Sequence, residues 1–184
     1  MREEIPLKLS LICLAVFVFA FVTGYLADGA YSSKTVSLIG EQLSFVVNLP
    51  PPMLTAAIFA NNLVKTMAAM LLGVLLGLPS LLFIWVNGFI LGLIGFEAVQ
   101  RKGIIYLMAG VTPHGVFELP AAILSAALGL KLGALTLARL RGVREPLKPH
   151  LSLCFKTYFT VIAPLLAFAA VVEVYVTPLI LSLL

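Results

Sequence analysis

Charged side chains are scarce in this sequence: Asp, Glu, Lys and Arg make up 11% of its 184 residues, and hydrophobic residues 61%. A soluble domain carries about a quarter charged residues and keeps its surface wet with them. This chain has too few to do so, which excludes a water-soluble fold and leaves an integral membrane protein. Histidine occurs twice, and no HExxH, GxSxG or paired-aspartate pattern is present, so the usual hydrolytic signatures are missing. Two cysteines, Cys13 and Cys154, lie inside apolar stretches with no CxxC spacing; neither a disulfide framework nor a thiolate metal site can be read from them. The net charge is +4, and most of the basic residues sit in short clusters flanking apolar runs. That pattern sets topology and meets lipid headgroups; it is no stripe for nucleic acid. Membrane lipid is the expected partner, nucleic acid is not, and no cofactor is implied.

What the chain does have is long apolar runs. Read as membrane helices of about 20 residues, they predict an all-α, polytopic transmembrane bundle forming a single integral membrane domain. About five spans are expected, at 9–27, 54–77, 81–100, 113–138 and 153–181. The first run exceeds the roughly 7–15 residues of a signal-peptide core, which favours an uncleaved span. Residues 28–52 form an external loop ending in Pro50-Pro51-Pro52, a tripeptide no helix interior accepts. Within it SLIGEQLSFVVNL is amphipathic enough to lie along the interface.

Residues 104–138 are too long for one span: at 1.5 Å rise they would reach ~52 Å, against about 30 Å of hydrocarbon. With Pro113 as the break, Ile104–Val111 reads as a short re-entrant or interfacial helix. A broken fourth span then follows, with the proline in its tolerated first turn. A cytoplasmic N-terminus would put Arg2, Lys8, Arg139, Arg141, Arg144 and Lys148 inside, and Lys34, Arg101 and Lys102 outside. The inside excess predicts a multi-pass cell-membrane protein with its N-terminus in the cytoplasm.

Three GxxxG pairs occur, Gly73/Gly77, Gly88/Gly92 and Gly129/Gly133. The last continues backward through Ser125 and Ala121 as a ridge of small residues, and Ala69 extends the first. Apolar surface gives helices no drive to associate in lipid, so close approach over small residues must do it. The ridges therefore predict tight packing, within the chain or across a homodimer.

Polar groups inside spans are costly and normally face protein or water. Here they are Asn61, Asn62, Lys65, Asn87, Glu97, His114, Glu118, Lys156 and Glu173. Asn61 and Lys65 are one helical turn apart, as are His114 and Glu118, and Glu173 and Thr177. Three readings follow. His114 and Glu118 could be two metal ligands, with Glu173 or Glu97 as a third, although a catalytic zinc generally has more histidines. Lys65, Glu118 and Glu173 could line a proton or solute path. The plainest reading is a structural polar network around a helix broken at Pro113 and shaped by Pro120, with the asparagines bonding freed backbone groups. Catalytic and metal-bound roles are the least favoured of these.

FANNL (59–63), NGFILG (87–92), PHGVFELPA (113–121), GLKLG (129–133) and EVYVTP (173–178) occur in this order. In that set and order the chain resembles the stage II sporulation protein M family over most of its length. PHGVFELPA is the specific element; the asparagine and glycine motifs are weaker. The resemblance implies a small multi-spanning membrane protein that is not an enzyme. It also implies an assembly role, since the family's namesake is similar to a scaffold positioning two cell-wall-degrading partners. Other membrane or envelope proteins are therefore implied partners beside a second copy of the chain. The family extends to archaea, and sparing Asn, Gln and Cys usage suits an archaeal member. Carried over by motif, its marked positions are Asn61, Asn62, Asn87, Gly88, His114, Gly115, Glu118, Pro120, Glu173 and Pro178.

Overall fold

The computed structural model describes residues 7–27, 48–143 and 146–184. Most of the expected external loop, with Lys34, and the basic positions Arg2 and Arg144 lie outside the described residues. Helix α1 covers Leu7–Tyr25, α2 Pro51–Leu71, α3 Leu78–Lys102 and α4 Ile104–Leu140. The last span, Leu147–Leu181, is a helical rod that widens twice. It runs through α5 (Leu147–Thr157), a π turn at Tyr158–Ile162, α6 (Ala163–Val171), a second π turn at Val172–Val176, and α7 (Thr177–Leu181). Five helices are thus long and apolar enough to cross a membrane, and no strand occurs among the described residues.

Proline and glycine set the boundaries. Pro51 and Pro52 open α2, where the first amide hydrogens have no helical partner to lose. A 3-10 turn at Leu72–Val74 ends it, and the chain reverses through Leu76 (φ 57) and Gly77 (φ 78). A left-handed leucine is uncommon for so bulky a residue. Gly103 alone joins α3 to α4, with φ 86, a conformation glycine adopts freely. Each widening of the last span precedes a proline, Pro164 or Pro178, which has no amide hydrogen to donate and crowds the preceding turn. A wider turn accommodates both problems.

The fourth span departs from the sequence reading. Ile104–Leu140 is one α-helix of 37 residues with Pro113 and Pro120 inside it. The separate re-entrant helix is not formed, and Pro113 neither breaks the span nor starts it. Each proline withholds one hydrogen bond, from the carbonyls of Ala109 and Val116, and the ladder on either side carries the gap. The helix does not end where the hydrocarbon does. At ~56 Å, α4 must tilt or project beyond it. Prolines persist in membrane helices where neighbouring helices surround the backbone. Helix α4 touches every other span, and 61% of its most apolar stretch is buried against 22–28% in the others, but its buried positions gather from Ala121 to Leu135, while Pro113 is half-buried and Pro120 exposed.

Two cores flank α4. One gathers Met70, Leu128, Leu132, Tyr158, Ile162 and Leu166; the other Cys13, Ile84, Ala126 and Ala127. The glycine ridges build both sides. A Cβ on Gly88 would lie 2.6 Å from the Phe17 carbonyl oxygen, and one on Gly92 2.7 Å from the Tyr25 nitrogen, so α1 rests directly on the backbone of α3. A Cβ on Gly133 would lie 2.8 Å from the Gly73 oxygen, and one on Gly129 2.7 Å from the Ala69 oxygen, where α4 crosses the end of α2. Gly73, Gly77, Ala121 and Ser125 are buried in the same crossing. All three GxxxG pairs are therefore used in packing within the chain. The outer faces, with Leu11, Val18 and Phe19 exposed, are apolar and suit lipid.

Candidate functional site: an imidazole and two carboxylates within the bundle

His114 and Glu118 stand one turn apart on the same face of α4, directly after Pro113. Glu173 belongs to the second π turn of the last span. The structure brings the three together: one donor atom from each lies within 4.8 Å of the others, and all three residues are partly buried. The Nδ1 of His114 is buried without a hydrogen-bond partner. Lys65 of α2 is within electrostatic reach of Glu118, as is Glu173. The π turn is held open on its own helix, where the Thr177 hydroxyl donates to the Val172 carbonyl at 3.3 Å. Such wide turns recur at functional sites because they re-aim side chains. The cluster offers one imidazole and two carboxylates to a proton or a cation.

Glu97, the other candidate third ligand, does not join them; Arg101 Nε donates to its Oε1 at 2.5 Å near the C-terminal end of α3. Nor do the asparagines bond backbone freed by Pro113. Asn61 donates to the side-chain oxygen of Asn62 at 3.3 Å, and Asn87 to the carbonyl of Phe83 on its own helix at 2.7 Å. Asn61, Lys65, Asn87 and Lys156 are exposed. The expected polar network around a break is thus replaced by an inward acid–imidazole cluster and an outward set of amides and ammonium groups. Lys65 and Asn87 line an open cleft of about 410 Å³ between α2 and α3, whose walls are otherwise apolar residues such as Ala68, Leu72, Leu82 and Phe83.

A second polar set was not legible in the sequence. The Tyr158 hydroxyl donates to the Leu63 carbonyl at 2.6 Å and lies 2.8 Å from Thr66 Oγ1, while Ser125 donates to the Thr66 carbonyl at 2.6 Å. Ser80 donates to the Ala69 carbonyl at 2.8 Å. These bonds pin α2 to α3, α4 and the last span. One signal pointed to Tyr158. Membrane tyrosines gather at interfaces, so one in the body of an apolar run needs a buried partner for its hydroxyl.

Fold and site together define a polytopic α-helical membrane protein whose fourth and last spans meet at a His–Glu–Glu cluster. The chain belongs to the Stage II sporulation protein M family, whose profile matches residues 9–178 and so includes all three cluster residues. An uncharacterized protein of Methanocaldococcus jannaschii is 30% identical over 181 residues, 95% of each chain. A second uncharacterized protein of that archaeon is 37% identical over 90 residues, 49% of this chain and 38% of its own. No solved structure matches.

Proposed function

We propose that the protein is a non-enzymatic assembly component of a membrane complex, and that the cleft between α2 and α3 receives a transmembrane helix of a different protein. The observation that carries this is the pair Lys65 and Asn87, exposed in the cleft and each in the middle third of its span, Pro51–Val74 and Leu78–Lys102. A lysine at that depth costs about 2.5–3.5 kcal/mol even on lenient insertion scales. A partner helix with a carboxylate or amide facing Lys65 offsets that cost. A second copy of the chain suits the cleft poorly, because a two-fold interface sets the same patch against itself and would oppose one Lys65 with another.

A photocrosslinking residue at Ala68 or Leu82, in the full chain in its native membrane, tests this. A discrete adduct with a different protein is expected from both positions and none from the lipid-facing Phe19. Lys65→Met should weaken the adduct. Lipid adducts alone, adducts between copies of the chain, or a protein adduct indifferent to Lys65→Met would overturn the proposal.

A second reading, a permease-like subunit with a polar path, draws support from the His114–Glu118–Glu173 cluster. A conduit needs water at Glu118, so Glu118→Cys would react with a soluble thiol reagent. A dry cluster would not.

A further inference from the structure

We propose that His114, Glu118 and Glu173 bind one divalent transition-metal ion inside the membrane, tying α4 to the last span. Three observations lead there. First, the donors converge from two spans: one donor atom from each residue lies within 4.8 Å of the others. Ligands held about 2.0–2.2 Å from a common ion lie about 3–4 Å apart, so small side-chain rotations close the site. Second, buried polar atoms are nearly always hydrogen-bonded, yet Nδ1 of His114 is buried with no partner. Third, two carboxylates share a largely apolar interior whose nearby cation is Lys65. Charge inside a span is expensive unless paired. A divalent ion neutralises both carboxylates and accepts the imidazole nitrogen.

The donor set indicates the class of ion. One imidazole and two carboxylates suit zinc, manganese or ferrous iron. Calcium and magnesium prefer oxygen throughout, and copper(I) prefers sulfur. Glu173 takes its place because the π turn at Val172–Val176 re-aims it, and Pro178 provides the reason for that turn.

Purified full-length protein in detergent, stripped with a chelator, is titrated with Co²⁺ and then Zn²⁺. One Co²⁺ per chain is expected, with visible ligand-field absorption that Zn²⁺ abolishes. Glu118→Gln and Glu173→Gln keep side-chain shape and should each weaken binding by more than about 100-fold, since loss of even an outer-shell partner costs about 10–100-fold. Glu97→Gln should change nothing. If either amide variant fails to elute as a single folded species, His114→Asn reports on the same site. Absence of Co²⁺ binding, or binding unchanged in the folded variants, would overturn the proposal and leave the two carboxylates sharing a proton.

Discussion

Gly73 and Gly129 meet backbone to backbone: a Cβ built on Gly73 would fall onto the carbonyl group and Cα of Gly129. Backbone at that distance cannot yield as a flexible side-chain tip can. Gly73→Ala is therefore expected to destabilise the fold by at least about 3 kcal/mol, the upper end of ordinary overpacking. Gly115→Ala is the control, because its Cβ would meet only Val111 Cγ1 at 3.6 Å, an ordinary contact. Unfolding in mixed detergent, followed by circular dichroism, measures both. Similar losses in the two variants would contradict the crossing.

Tyr158→Phe removes the hydroxyl joining the last span to α2. Its partners are not stranded, because Thr66 Oγ1 also donates to Asn62 O at 2.7 Å and reaches Leu63 O at 3.2 Å. The expected loss is about 1 kcal/mol, between the membrane average of about 0.6 and the observed maximum of about 1.7. In a double-mutant cycle with Thr66→Val the two changes should be less than additive. Full additivity in folded variants would show that the hydroxyls are not coupled.

Cys13 and Cys154 are fully buried, one in each core. Neither should react with a membrane-permeant maleimide while the bundle is folded, and both should react after unfolding. The labelling rate then reports each side of α4 separately. Gly92→Ala, which pushes α1 off α3, should expose Cys13 before Cys154. The reverse order would place the glycine contact on the wrong side of the bundle.

The parts of this molecule legible in its sequence are those set by neighbours along one helix. Span number follows from apolar runs, and the shared face of His114 and Glu118 follows from their spacing. Glu173 could be named only as a candidate, since its approach depends on how the last span lies against α4 and on an added turn width that spacing does not record. The outward placement of Asn61, Lys65 and Asn87 escaped for a similar reason. A polar residue in a span is expected to face inward, whereas Lys65 and Asn87 face an open cleft and Asn61 is exposed outside it. Pro113 does not end the helix, because a proline removes one hydrogen bond from the ladder and the turns on either side of it remain intact.

That last point has its own test. Within a continuous α4, Pro120 is exposed and withholds a hydrogen from the Val116 carbonyl. Helix-interior proline is about 3 kcal/mol less favourable than alanine in water, and surrounding helices recover part of that. Pro120→Ala should therefore raise stability by on the order of 1 kcal/mol, with a slowly exchanging amide at position 120. Pro113→Ala should likewise keep the helix whole. It stands beside His114, however, and a proline bends its helix away from the missing bond. If that bend aims the imidazole at Glu173, the variant will fold normally yet hold Co²⁺ about tenfold more weakly, as loss of an orienting neighbour does. A destabilised Pro120→Ala with intact helicity would mean that the proline ring is part of how α4 packs and is not merely tolerated there.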